Sequence, residues 1–169
     1  AALYRAPTFT LADALQGGTS LVVIGEPGSG KSTALAHLAT QMARREPLPG
    51  GAEKLTPLLL HAADFSLPGA NPEDPLQALL AATGISTAAA TQSKLPAFLE
   101  AALAEGTLLL LLDGMDELPP PMVDQLCDYL RALKARYPAL RLVASASLEY
   151  YDGLSQLGCS PLAMSIWNQ

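Results

Sequence analysis

Short runs of apolar residues alternate with longer amphipathic segments along most of this chain. A short unbroken apolar run is typical of a buried strand, whereas apolar residues that recur every three or four positions predict a helix with one buried face. The predicted strands cover residues 21–25, 56–62, 107–112, 140–145 and 161–166. The predicted helices cover residues 32–45, 73–83, 96–106, 120–137 and 149–157. Strands that alternate with helices predict a parallel sheet with helices on both faces.

Glycine and proline positions refine these boundaries. Gly84 follows the second helical segment and is predicted to end it. Pro57 lies near the start of the second strand, and because proline cannot donate a backbone hydrogen bond, it favours the first residues of a strand or the edge of a sheet. No internal repeat and no linker divides the chain, which predicts one domain.

The composition fits one folded domain with a sizeable core, since 50% of the 169 residues are hydrophobic. The formal net charge is −6 and the 10 lysines and arginines are scattered, which argues against a dedicated nucleic-acid surface. Cys127 and Cys159 lack metal-ligand spacing and are typical of buried thiols in a reducing compartment. The sequence has no signal peptide and no apolar run near the roughly 20 residues of a membrane span, which predicts a cytoplasmic protein without membrane contact. The chain begins at Ala1 rather than Met, and we expect residues 1–169 to be a module of a larger protein.

Residues 25–32 read Gly-Glu-Pro-Gly-Ser-Gly-Lys-Ser and match the P-loop pattern G-x-x-x-x-G-K-[ST]. Glycines let the backbone wrap around a phosphate chain with its N–H groups turned inward, and the helix that follows adds free amides and the positive end of its dipole. The predicted nucleotide-binding residues are Gly25, Glu26, Pro27, Gly28, Ser29, Gly30, Lys31, Ser32 and Thr33. Within this set, Lys31 is expected to reach the β and γ phosphates and to act in catalysis, and the Ser32 hydroxyl is expected to bind Mg²⁺.

A second acidic segment follows a run of leucines and reads Asp-Gly-Met-Asp-Glu at residues 113–117. Beside a P-loop, a carboxylate that ends a buried strand is a candidate Mg²⁺ ligand, because Mg²⁺ prefers hard oxygen donors. The predicted metal ligands are therefore Ser32 and Asp113. Hydrolysis of a γ phosphate also needs a group that orients and polarises the attacking water. Asp116 and Glu117 are the candidates for this catalytic role, and the alternative is that one of them caps the helix that starts near Pro119.

Together the two motifs resemble the NACHT NTPases, which belong to the STAND class of signalling ATPases and are relatives of AAA+ proteins. The resemblance is carried by the P-loop and by the Asp-Gly-Met-Asp-Glu segment, and it extends from about Phe9 to Trp167. It implies a three-layer α/β fold of the P-loop NTPase type, with a five-stranded parallel sheet in the order 5-1-4-3-2. It also implies ATP or ADP with Mg²⁺, slow hydrolysis, and a switch in which nucleotide exchange permits self-association. Bacterial members act in signalling and in defence against phage, and a bacterial origin is our expectation here.

The sequence departs from this family in two places. The family has an arginine after the fourth strand that senses the γ phosphate, and Ser147 stands at that position here. A neutral hydroxyl does not offset phosphate charge as a guanidinium does, so sensing and hydrolysis are expected to be weak unless another arginine substitutes. The family's adenine-contacting proline would lie beyond this chain, so the adenine pocket is incomplete. Its core-side wall is expected from residues 4–9, with Phe9 more often a packing residue than a base contact.

Several functions are compatible with these motifs. The first is a regulatory ATPase switch, and the second is a nucleotide-binding scaffold with little or no turnover, which Ser147 favours. A small-molecule phosphotransferase needs arginines in a substrate lid, and residues 71–93, the candidate lid, contain none. A GTPase usually carries an Asn/Thr-Lys-x-Asp segment that reads guanine, and the sequence has no such segment, so ATP is the expected nucleotide. His37 and His61 lack metal-spaced partners and are expected to pack or to face solvent.

Overall fold

Five parallel strands form one sheet in the computed structural model of this chain, which describes residues 9–67 and 74–164. The strands are β1 (Ser20–Ile24), β2 (Thr56–His61), β3 (Leu108–Asp113), β4 (Arg141–Ala146) and β5 (Cys159–Ala163). Their order across the sheet is β2-β3-β4-β1-β5, and each neighbouring pair is parallel. This is the predicted order read from the opposite edge, so the predicted α/β fold of the P-loop NTPase type is confirmed.

Helices cover both faces of this sheet. They are α1 (Leu11–Ala14), α2 (Lys31–Ala43), α3 (Pro75–Ser86), α4 (Ala89–Gln92), α5 (Leu95–Ala104), α6 (Pro120–Arg136) and α7 (Tyr151–Ser155). Among the residues that the structure describes, no helix has the length and apolar character needed to cross a bilayer.

Strand β3 connects the two hydrophobic cores, because its leucines alternate between the faces of the sheet. Leu108, Leu110 and Leu112 pack into the larger core with residues of α3, α5, α6 and α7. Leu109 and Leu111 pack into the smaller core with residues of α1 and α2. All of these side chains are buried, which is why an unbroken leucine run, and not an alternating pattern, marks this strand.

Helix α3 passes through Gly84 and ends at Ser86, so the prediction that Gly84 ends it is wrong. Ala82 and Thr83 lie just before the glycine and are buried against the core. Beyond the glycine, the hydroxyls of Ser86 and Thr87 donate to the Thr83 carbonyl at 3.5 and 2.7 Å, which offsets part of the roughly 1 kcal/mol that a glycine costs inside a helix.

The first and last described elements also differ from the pattern-based prediction. Helix α1 is a single turn, too short to show periodicity, and a capping box marks its start: Thr10 accepts a hydrogen bond from the Asp13 N–H at 3.1 Å and donates its own N–H to the Asp13 carboxylate at 3.0 Å. Strand β5 begins at Cys159, before its predicted start, and pairs with β1 along its whole length. Residues 165 and 166 of the predicted strand lie outside the described residues. Pro57 lies in β2, which is an edge strand as its proline predicts.

Candidate functional site

The P-loop joins the end of β1 to the start of α2 and has the backbone shape of an anion site. Gly28 and Gly30 have φ angles of 79° and 95°, in the left-handed region that residues with side chains adopt only at a cost. Gly30 is also the N-cap of α2 and, having no side chain, cannot cap the first amides of the helix. Those amides and the positive end of the helix dipole therefore face the loop, where a phosphate group can bind.

Lys31 is buried at the first position of α2, with 7% of its surface exposed. Its ammonium group donates to the backbone carbonyls of Gly25 at 2.8 Å and Glu26 at 3.2 Å. The same Nζ lies 3.2 Å from Oδ2 of Asp116. A buried ammonium is costly unless it is paired, and these acceptors satisfy its three N–H groups. The ion pair with Asp116 joins the P-loop directly to the second acidic segment.

Asp113 ends β3 and is held by the neighbouring strand β4. The Ser145 hydroxyl donates a short hydrogen bond to Oδ1 of Asp113 and accepts one from the Gly114 N–H at 3.1 Å. Ser145 is fully buried, so the sheet fixes both bonds. Because Oδ1 is held in one orientation, the direction of the second carboxylate oxygen is fixed as well.

Asp116 and Glu117 lie in the short 3₁₀ turn that follows Gly114. Gly114 has a φ of 75° and lies so close to the His61 ring that a Cβ at this position would overlap it. His61 ends β2, its Nδ1 accepts the Ala63 N–H at 3.2 Å, and its Nε2 lies 3.4 Å from Oε2 of Glu117. The expectation that His61 only packs or faces solvent is therefore incomplete, because the ring contacts a candidate catalytic carboxylate.

Neither of these carboxylates caps helix α6. The N-cap of α6 is Pro119, and among the described residues no side chain makes a capping hydrogen bond there. Asp116 pairs with Lys31 instead, and the Glu117 side chain is 67% exposed. The alternative that one of them is a helix cap is therefore wrong: Asp116 contacts the P-loop lysine, and Glu117 lies beside His61 at the end of β2.

The polar groups around the loop fit a phosphate ligand with Mg²⁺. The Ser29 hydroxyl is buried and has no hydrogen-bond partner among the described residues, which indicates a place for a polar ligand atom. Ser32 and Thr33 are exposed in the first turn of α2. Within residues 9–67 and 74–164, no group of three or more His, Cys, Asp or Glu side chains could hold a metal alone. A cation here would need Ser32, Asp113 and oxygens from the ligand, which suits Mg²⁺ because it usually takes few ligands from the protein.

A cleft of about 660 Å³ opens beside the P-loop at the ends of β1, β4 and β5. Its apolar lining residues are Ile24, Pro27, Leu148, Ala163 and Met164. The Met164 N–H donates to the Ile24 carbonyl at 2.8 Å, which anchors this wall to the sheet. Leu148 is 71% exposed although it is apolar. Apolar walls next to a polar loop suit a ligand with a flat ring and a charged tail.

Several site residues were not identified by the sequence reasoning or differ from it. Ser145 carries a signal that could have identified it, because it is a polar residue within the buried strand β4, whereas Met164 carries none. Ser147 lines the cleft beside the P-loop, and its hydroxyl donates to Glu149 at 3.1 Å. Phe9 is 61% exposed, which does not fit the packing role that was expected of it more often than a base contact. The other residues expected to form the adenine wall, 4–8, lie outside the described residues.

The sequence of this chain matches the model of a known protein family. A family model described as "AAA domain" matches residues 14–145. The chain is similar to a structure of Drosophila ORC bound to GC-rich DNA and Cdc6, with 21% identity, a TM-score of 0.45, and coverage of 90% of this chain and 52% of that chain. It is also similar to the Aeropyrum pernix ORC1 protein in complex with DNA, with 17% identity, a TM-score of 0.47, and coverage of 92% and 43%. This chain thus spans about half or less of the length of these solved chains. No curated protein sequence gives a significant match.

Proposed function

The chain belongs to the AAA domain family of P-loop NTPases, and we propose that it binds ATP or ADP with Mg²⁺, hydrolyses ATP slowly and acts as a nucleotide-dependent switch. Nucleotide binding and hydrolysis are the general activity of this family. The proposal goes beyond the family in three points: the slow rate, the switch role and the assignment to the NACHT type. The NACHT assignment is supported by the Asp-Gly-Met-Asp-Glu segment that follows the leucine strand.

The observation that carries this proposal is the contact between the two motifs. Lys31 and Asp116 lie 3.2 Å apart although 85 positions separate them in the chain (116 − 31). A P-loop lysine and an acidic segment that meet at the carboxyl ends of parallel strands form a phosphate site with a nearby cation site. Two motifs that matched their patterns by chance would have no reason to meet.

The proposed mechanism divides the work among these residues. The P-loop amides and Lys31 bind the phosphate chain, and Ser32 and Asp113 hold Mg²⁺, which when bound neutralises charge on the β and γ phosphates. Ser145 fixes the orientation of Asp113. Glu117 is the better candidate to polarise the attacking water, because its side chain is 67% exposed and that of Asp116 only 17%.

We place the nucleotide base in the apolar cleft beside the P-loop. Pro27, Leu148 and Met164 offer apolar surface for a ring, and among the described residues that line the cleft the one carboxylate is that of Glu26, in the P-loop itself. ATP is therefore preferred over GTP in this proposal. Competition between the two nucleotides in a binding assay tests the choice, and a clear preference for GTP would reverse it.

A nucleotide-binding scaffold with little or no turnover is the second candidate. Ser147 stands where related proteins carry an arginine, and its hydroxyl is paired with Glu149. Within residues 9–67 and 74–164, no lysine or arginine lines the cleft. Charge that develops on the γ phosphate during hydrolysis would therefore lack a guanidinium to stabilise it, and slow turnover is expected.

The binding experiment compares thermal denaturation with and without millimolar Mg-ATP or Mg-ADP. Wild-type protein should be stabilised by either nucleotide, because a ligand that binds the folded state raises its melting temperature. Lys31→Ala should lose this shift. Lys54→Ala, which removes an exposed lysine outside the P-loop, is the matched control and should keep it. A wild-type protein that folds but shows no shift with either nucleotide would refute the proposal for this domain.

The hydrolysis experiment separates the switch from the scaffold. Phosphate release should be slow in wild type and lower still in Glu117→Gln, while ADP affinity stays unchanged because Glu117 does not contact the P-loop lysine. If wild type and Glu117→Gln release phosphate equally slowly, the scaffold is the correct description.

We also propose that the NTPase domain self-associates and that it has no dedicated nucleic-acid surface. Light scattering with ADP and with a slowly hydrolysed ATP analogue should give different masses if nucleotide exchange controls assembly.

The solved structures named above contain DNA, but a likeness that weak gives no argument about DNA for this chain. The scattered basic residues and the net charge of −6 predict at most weak binding to duplex DNA, which an electrophoretic mobility assay can measure.

A further inference from the structure

Asp116 occupies a hydrogen-bonding position on Lys31 that a nucleotide phosphate would also need. Its Oδ2 lies 3.2 Å from the ammonium nitrogen, and the two side chains are 17% and 8% exposed. The carbonyls of Gly25 and Glu26 accept from the same nitrogen. Because a lysine ammonium has three N–H groups, a phosphate oxygen can bind Lys31 only by replacing one of these acceptors.

Asp116 is the acceptor that a phosphate displaces most easily. The carbonyls of Gly25 and Glu26 are part of the P-loop, so they keep their positions relative to Lys31 when the loop binds a ligand. Asp116 lies on a separate 3₁₀ turn that is joined to β3 through Gly114. Its carboxylate is negatively charged like a phosphate, and two anions at one cation repel each other, whereas a neutral carbonyl does not oppose the ligand in this way.

We propose that Asp116 is an internal counter-ion that competes with nucleotide phosphates for Lys31. This inference rests on the proposed function, because it assumes that phosphates bind at Lys31. In this proposal Asp116 regulates nucleotide affinity, and Glu117 polarises the attacking water.

The test compares ADP binding by wild type, Asp116→Asn and Glu105→Gln, measured by calorimetry with Mg²⁺ present. Asparagine keeps the shape of aspartate and an acceptor oxygen but removes the charge that opposes the phosphate. We expect Asp116→Asn to bind ADP about tenfold more tightly, within the range typical of coupling between two ligands. Glu105→Gln is the control, because it removes the same charge from an exposed side chain at the end of α5. Glu105 lines a different groove, together with Arg141, so this variant should bind ADP like wild type.

Thermal denaturation without nucleotide supplies a second readout. Asp116→Asn should melt at a lower temperature than wild type, because the buried ammonium of Lys31 loses its counter-ion. Its stabilisation by ADP should nevertheless be larger than that of wild type. A purely structural role for Asp116 would lower the melting temperature without strengthening ADP binding. Asp116→Ser, which is smaller and also neutral, serves as a second variant if asparagine prevents folding.

Each outcome has one interpretation. Equal or weaker ADP binding by the folded Asp116 variants, with wild-type binding intact, would overturn the competition and leave the proposed function in place. Tighter binding by Glu105→Gln to the same degree would show a general effect of charge, which also overturns it. Absence of ADP binding by wild type would overturn both proposals together.

Discussion

Replacing Ser145 with alanine is the most direct test of how the site is built. The Ser145 hydroxyl is fully buried, donates to Oδ1 of Asp113 and accepts the Gly114 N–H at 3.1 Å. Alanine removes this one oxygen and changes little else in the packing of β4. It leaves a buried amide without an acceptor and a carboxylate oxygen without its donor.

The size of the effect follows from these two losses. A buried donor without a partner costs about 1–3 kcal/mol, and a hydrogen bond to a charged group contributes about 1.5–3 kcal/mol. Asp113 is only partly buried, so water compensates for part of the second loss, and we expect a total decrease of about 3 kcal/mol in the free energy of unfolding. In a domain of this size each kcal/mol corresponds to about 2–4 °C, so the melting temperature should fall by about 6–12 °C.

The same variant should weaken Mg²⁺ binding. Asp113 is the proposed metal ligand, and loss of a group that orients a ligand commonly lowers metal affinity by about 10- to 100-fold. Calorimetric titration of Mg²⁺ into protein saturated with ADP measures this effect. ADP binding without Mg²⁺ should change much less, because Ser145 does not contact the P-loop lysine.

The control for this experiment is Ser160→Ala, since Ser160 is also a strand serine but is exposed on β5. It should melt within about 2 °C of wild type, as surface substitutions usually change stability by less than about 0.5 kcal/mol. A Ser145→Ala protein that melts like this control would refute the reasoning. So would normal Mg²⁺ affinity in a destabilised variant, which would remove Ser145 from the metal site.

Three further predictions concern single contacts. Gly114→Ala should lower the melting temperature, because a Cβ at this position is opposed both by the φ of 75° and by the His61 ring. Adding His61→Ala to this variant should restore part of the lost stability. Tyr129→Phe removes a hydroxyl that donates to the Pro75 carbonyl at 2.8 Å and should cost about 1–2 kcal/mol in urea denaturation, whereas an unchanged midpoint would mean that this bond adds no stability. Burial raises the pKa of Cys159 from 9.0 to about 11, so stability should fall as pH rises between these values, and less steeply in Cys159→Ala.

The hydrophobic pattern located the central strands well because they are buried on both faces. The predicted and observed limits of β1, β3 and β4 differ by one residue at most at each end. The edge strand β2 was located equally well because Leu58, Leu59 and Leu60 form an apolar run. The predicted limits of β5 were displaced toward the C-terminus. Ser160 and Pro161 are exposed in this edge strand, so its apolar signal is weak. The order of the strands does not follow from the pattern and came from the family resemblance.

The pairing of side chains at the site follows only when that strand order is known. Strands β3 and β4 are neighbours with Leu112 opposite Ala144, so the next residues along, Asp113 and Ser145, lie side by side. Strand β1 pairs with β4 and not with β3, so a lysine that follows β1 must reach across the end of β4 to meet Asp116.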